Sequence, residues 1–144
     1  MRQSDKSRDM QSIASAQISN FKDYCSCENA EKYFSNLLHA WVGGEIIEMM
    51  QRPERQNVLQ FHEELKSLVI SILDDQLLSD QIAINFLLRF YEKWSNVTIN
   101  EILKDLTDSF FMSDIANDKD SRCGGYEFLK KLNNLLLPKL EIVT

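Results

Sequence analysis

Few side chains in this chain are suited to chemistry, and their spacing limits what they can do. There are three cysteines and two histidines. Cys25-Ser26-Cys27 places two thiols close together, but a structural zinc ion needs four ligands, usually as two such pairs. No second pair exists, because Cys123, His39 and His62 each stand alone in the sequence. A redox pair would take the form Cys-x-x-Cys beside a strand–helix–strand unit, which is also absent. The two thiols read as helix-end cysteines, one of them buried. His62-Glu63-Glu64 begins like the zinc-protease motif, yet Lys66 occupies the position of the required second histidine. Proton transfer by either histidine needs a carboxylate to orient it, and the sequence names none. His39 falls at the edge of its helix, and His62 falls within an apolar stripe.

Asp114, Asp118 and Asp120 suggest a calcium loop. Starting an EF-hand at Asp118 places Asp120 correctly. It also puts Arg122 at a ligand position, Cys123 where glycine must turn the chain, and Leu129 where a bidentate glutamate belongs. The calcium pattern fails, and a solvated loop is expected. Gly43-Gly44 and Gly124-Gly125 lack the flanking residues of a phosphate-binding loop and read as backbone breaks. No catalytic residue, metal or cofactor is expected.

The aromatic residues carry more information. Eight Phe, four Tyr and two Trp occur, and most fall on apolar stripes. Tyr33-Phe34, Phe90-Tyr91 and Phe110-Phe111 are adjacent pairs whose members point about 100° apart on a helix. Each pair implies either a helix buried on two sides or a flank turned to a partner.

The elements that hold these residues are helical by periodicity. A stripe from Met10 through Ile13, Ala14, Ile18, Phe21 and Tyr24 to Cys25 predicts a first helix. Asn29 is the expected N-cap of a second, with Tyr33, Phe34, Leu37, Leu38, Trp41 and Val42 on its face, and Gly43-Gly44 interrupts it. Glu45 to Gln51 is expected to continue as helix. Pro53 suits the first turn of a long helix carrying Val58 to Leu73, with Asp74 and Asp75 near its end. Ser79 is the expected cap of a helix presenting Ile82, Ala83, Phe86, Leu87, Phe90 and Trp94. Thr98 to Glu101 matches a capping box for the next helix, which carries Ile102, Leu103, Leu106 and Phe110. Residues 113–125 are expected as a loop ended by the second glycine pair. The last helix carries Tyr126, Phe128, Leu129, Leu132, Leu135 and Leu136, and Pro138 is expected to stop it before an extended tail. The fold expected is an all-α, compact single-domain bundle of six or seven helices, mostly antiparallel neighbours with some oblique crossings. Residues 1–9 read as a flexible polar arm and residues 10–144 as one domain.

Length and charge set further bounds. The chain has 144 residues, enough for one domain with a real core. Sixteen basic residues face 22 acidic ones, a formal charge of −6. The excess lies in the middle of the chain, and residues 53–78 alone are −3. Nucleic acid and anionic membrane are therefore excluded as expected partners, since both call for a basic stripe or patch. The N-terminal residues show no apolar signal segment, and the dense run Ile82 to Leu88 is broken by Asn85. With the odd cysteine count this points to a cytoplasmic location.

An acidic chain without catalytic motifs is expected to be a non-enzymatic, protein-binding module. In its concrete form it is an inhibitor or immunity-type protein that stoichiometrically neutralises a basic partner such as a nuclease toxin, its carboxylates standing in for phosphates. The contact pool is Glu45 and Glu48, then Glu63, Glu64, Asp74 and Asp75, then Asp114, Asp118 and Asp120. One alternative is a structural or regulatory subunit self-associating through an aromatic helix face. Another is a helical enzyme or small-ligand binder with a pocket between helices.

Overall fold

The computed structural model describes residues 2–74 and 80–142. Among them are six α-helices, two short 3-10 turns and no strand. Helix α1 is Arg2–Tyr24, α2 Cys27–Val42, α3 Arg52–Leu73, α4 Asp80–Lys93, α5 Asn96–Met112 and α6 Lys119–Ile142. The protein is an all-α bundle. No helix among the described residues is long and apolar enough to cross a membrane.

The apolar stripes become the core. On α1, Ala14, Ile18, Phe21 and then Cys25 are buried at intervals of three and four. On α3, Val58, Phe61, Leu65, Leu68, Val69 and Ile72 are buried, and Pro53 sits in the first turn as expected. Helix α2 packs most extensively on α5 and next on α3, while α1 packs on α6 and α4. Phe128 of α6 gathers the rings of Phe21, Tyr33 and Phe34, with centroids 6.1, 4.9 and 5.2 Å away. A second aromatic group joins Phe61 to Phe90 and Trp94 at 5.5 and 5.2 Å. The Phe90-Tyr91 pair is buried on both sides: Phe90 faces α3, and the Tyr91 hydroxyl donates to Leu135 O of α6 at 3.0 Å. The buried stripe of α4 is rotated from the expected one. Ile84 and Tyr91 are inside, and Ile82 is 42% exposed.

Several boundaries differ from the sequence expectation. The cap of α2 is Ser26, not Asn29: Ser26 Oγ accepts from the Asn29 amide at 3.2 Å. The cap of α5 is Ser95, whose Oγ accepts from the Thr98 amide at 3.2 Å and donates to Thr98 Oγ1 at 2.9 Å. In both cases a serine three residues earlier reaches the free amide first. Glu45 to Gln51 is not a full helix but holds a 3-10 turn, Ile47–Met49. Arg55 Nε ties that connector to α3, donating to Ile47 O and Met50 O at 3.1 Å each. Residues 2–9 continue α1. The expected cap Ser79 lies outside the described residues.

The largest corrections concern α6. Residues 113–125 are not one loop, because a 3-10 turn spans Asp114–Asn117 and α6 begins at Lys119. Asp118 starts the helix, its carboxylate accepting from the Ser121 amide at 3.0 Å. Gly124 and Gly125 therefore lie inside a helix, where each is less favourable than Ala by about 1 kcal/mol. Packing explains their presence. A Cβ on Gly125 would stand 2.3 Å from Phe110 Cζ, and one on Gly124 would stand 2.8 Å from Tyr33 Oη. At its other end α6 runs past Pro138 to Ile142 in place of the expected stop and extended tail. A proline removes one N–H from the ladder without having to end the last turns of a helix.

Candidate functional site

The cysteines do not form a reactive centre. None is in a disulfide, and among the described residues no three His, Cys, Asp or Glu side chains converge closely enough to hold a metal ion. Burial, and then the neighbouring Cys27, push the Cys25 thiol up to about 11, which makes it a poor nucleophile at neutral pH. Cys27 Sγ lies 3.8 Å from Ile70 O, and Cys123 is exposed on α6.

Both histidines line clefts. His62 is 5% exposed, its Nε2 lies 2.9 Å from Phe34 O, and its ring meets Phe34 edge to face. The carbonyl can only accept, so Nε2 carries the proton. Burial pushes the imidazole below its ordinary pKa, partly opposed by that hydrogen bond. It borders a cleft of about 670 Å3 between α2 and α3, with Glu31, Glu63 and Lys66 on the walls. His39 is exposed beside a second cleft, of about 390 Å3, where α2 and α5 both end. Among the described residues neither imidazole is hydrogen-bonded to a carboxylate, so neither shows the oriented base of an acid–base pair.

The acidic residues singled out from the sequence do not form one surface, although Glu63 and Glu64 border a common cleft with Arg89 and Lys93. Glu45 and Asp114 come together on the walls of the His39 cleft. Glu48 is exposed in the connector, Glu63 is exposed on α3, and Asp120 is exposed in the first turn of α6. Glu64 is held by Lys93, with Nζ to Oε1 at 2.6 Å. Asp74 follows the last residue of α3 and is half-buried. Asp75 lies outside the described residues. Asp118 is occupied as the cap of α6, and its hydrogen bond from the Ser121 amide holds the carboxyl below the usual carboxylate range.

A second set of carboxylates, not apparent from charge along the chain, follows one face of α5. Glu101, Asp105 and Asp108 follow one another along α5, and Glu54 joins them from the start of α3. Burial pushes Asp105 above its ordinary pKa, and the charges of Asp108, Glu101 and Glu54 add to the shift against the opposing pull of Lys104. Their i, i+4, i+7 spacing was the available signal. Counting charge by chain segment hid it, because Lys104, Arg89 and Lys93 dilute that stretch.

The aromatic pair at the end of α5 splits. Phe110 is buried, whereas Phe111 is 40% exposed and Tyr126 of α6 is 57% exposed. Their rings lie 6.4 Å apart, beside an exposed Met112.

No protein-family model, no curated protein and no solved structure matches this chain.

Proposed function

We propose that the protein is a non-enzymatic binding module that neutralises a basic protein partner by stoichiometric occlusion, in the manner of an inhibitor or immunity-type protein. The carrying observation is the like-charged set Glu54, Glu101, Asp105 and Asp108 on α3 and α5: burial raises the Asp105 pKa, and the charges of the other three add to that shift. A surface that concentrates like charge at a cost to its own stability gains from a cationic partner, which relieves the repulsion and is steered by it. The net charge of −6 acts in the same direction.

The test is purification of the tagged chain from its own cells at low salt, beside a variant carrying Glu54→Gln, Glu101→Gln, Asp105→Asn and Asp108→Asn. One basic protein is expected at unit stoichiometry with the wild type, released as salt rises and lost with the variant. Equal retention by the variant overturns the electrostatic reading. The helical circular dichroism of the variant, expected to equal that of the wild type, separates loss of binding from loss of fold.

A second reading, self-association through an aromatic helix face, is favoured by the exposed Phe111 and Tyr126 at 6.4 Å with Met112 beside them. Sedimentation across a concentration series tests it: a mass that rises for the wild type and stays monomeric for Phe111→Ser supports it, and a constant monomer overturns it.

A further inference from the structure

We infer that the His39 cleft is a receptor for a guanidinium group, the tip of an arginine side chain on the basic partner. This deepens the binding-module reading above and rests on it. The cleft of about 390 Å3 is formed by Gly43 and Gly44 after α2, Glu45 in the connector, Ser109 within α5, and Ser113 and Asp114 after α5. Its size falls within the ~300–1,000 Å3 of ordinary ligand pockets.

Ser109 supplies the first independent sign of an occupant. It is 2% exposed, it lines the cleft, and its Oγ has no hydrogen-bond partner. The hydroxyls on either side of it along the chain are satisfied locally. Thr107 Oγ1 donates to Leu103 O and Ser113 Oγ donates to Phe110 O, both at 2.6 Å. A buried polar group left unpaired costs about 1–3 kcal/mol, which a donor entering the cleft removes.

The sign of the potential supplies the second. Two helices bring their C-terminal, partially negative ends to the same place. No basic residue stands in the last turn of α5, and His39 is the one basic side chain in the last turn of α2. Glu45 and Asp114 add two carboxylates, and no Lys or Arg is among the lining residues. An anion is disfavoured on every wall except at His39.

The shape selects among cations. Ser109 Oγ lies buried just behind Gly44, where a Cβ would stand 3.9 Å from it, so a donor reaches it by a small displacement of the Gly43-Gly44 segment. Ile46, Met112 and Ile115 give apolar walls between the carboxylates. A guanidinium is flat, weakly hydrated and carries five donors in a fork, so it can lie on such walls and still reach separate acceptors. A strongly hydrated ammonium is less well served.

The test is amide NMR titration of the full chain with three blocked tripeptides, Gly-Arg-Gly, Gly-Lys-Gly and Gly-Glu-Gly. The arginine peptide is expected to give saturable shifts centred on Gly43, Gly44, Ser109 and Ser113. The lysine peptide is expected to bind more weakly and the glutamate peptide to leave those amides unmoved. Ser109→Ala, and separately Glu45→Gln with Asp114→Asn, are expected to weaken the arginine peptide by about tenfold, the effect of losing one charge-assisted hydrogen bond. Glu92→Gln, at an exposed position on α4 away from the cleft, is expected to leave it unchanged. Shifts that never saturate, that spread over the acidic face of α5, or that survive both cleft variants overturn the inference. Its failure is separable from that of the parent reading. A partner that releases the Glu54/Glu101/Asp105/Asp108 variant but retains the cleft variants overturns the cleft alone, whereas retention of the α5-face variant overturns the electrostatic reading of that face.

Discussion

The molecule contains two Gly-Gly pairs with opposite consequences. Gly43-Gly44 ends a helix and opens a cleft. Gly124-Gly125 sits inside a helix and lets that helix close onto its neighbours. Neither pair is needed for a left-handed backbone, since no described glycine has a positive φ. What matters at both is the missing side chain. At Gly44 the nearest obstacle to a Cβ is a backbone carbonyl, Ala40 O at 2.9 Å, and beyond it lies an unpartnered hydroxyl. At Gly125 the obstacle is the buried ring of Phe110, at 2.3 Å. A glycine pair thus marks a close approach, and its neighbours decide whether the approach is to solvent or to core. Asp118 and the stripe from Phe128 to Leu136 carry α6 through its glycines. The residues after Gly44 have no comparable stripe, so helix stops there.

The sharpest way to break this comparison is Gly125→Ala. In an exposed helix the change would stabilise by about 1 kcal/mol. Here it is expected to destabilise by about 1–3 kcal/mol in chemical denaturation, through overpacking against Phe110. Phe110→Leu is expected to recover part of that loss. Ser26→Ala and Ser95→Ala follow, each expected to cost about 1 kcal/mol as caps, whereas Asn29→Ala and Thr98→Ala cost less.

Acid probes the closed middle of α2, where Phe34 O meets His62. The folded-state pKa of His62 lies below its ordinary 6.5, so the unfolded chain takes up the proton first as pH falls. This contribution is full above pH 6.5 and is lost below it. Stability measured against pH is expected to decline less steeply there for His62→Gln than for the wild type. Asp105 has the opposite sign. Its raised pKa means that stability is lost as pH rises through the carboxylate range, so Asp105→Asn is expected to stabilise the protein at neutral pH by about 0.3 kcal/mol. The smallest effect is expected at Gly43→Ala, whose Cβ would stand 3.3 Å from His39 O in otherwise open space.

Periodicity alone specified the helices whose apolar residues repeat without interruption, α3 above all, and Pro53 marked where it begins. It failed where a tertiary contact outweighed local preference. Gly124 and Gly125 read as a break because their compensation comes from Tyr33 and Phe110, far away in the chain. Pro138 read as a stop, yet α6 continues past it. Asn29 and the Thr98–Glu101 box fit linear capping patterns better than Ser26 and Ser95 do, yet a linear motif does not show which hydroxyl reaches the first free amide. The site was less legible than the fold. Glu45 and Asp114 were among the residues singled out, but only folding brings the ends of α2 and α5 together around them. The α5 acidic face is present at helical spacing, but a charge sum along the chain conceals what a sum around the helix reveals.

The packing of α1 on α6 has a consequence in time. Phe21 meets Phe128 and Tyr24 meets Lys131, each pair about 107 residues apart in the chain. During synthesis at ~5–20 residues per second, α1 waits on the order of ten seconds for α6 to be made. It can dock on α4 meanwhile, but one flank stays uncovered until α6 arrives. Closure of the bundle is therefore a late, long-range event, and a ribosome paused before α6 would hold a chain whose first helix is still available to chaperones.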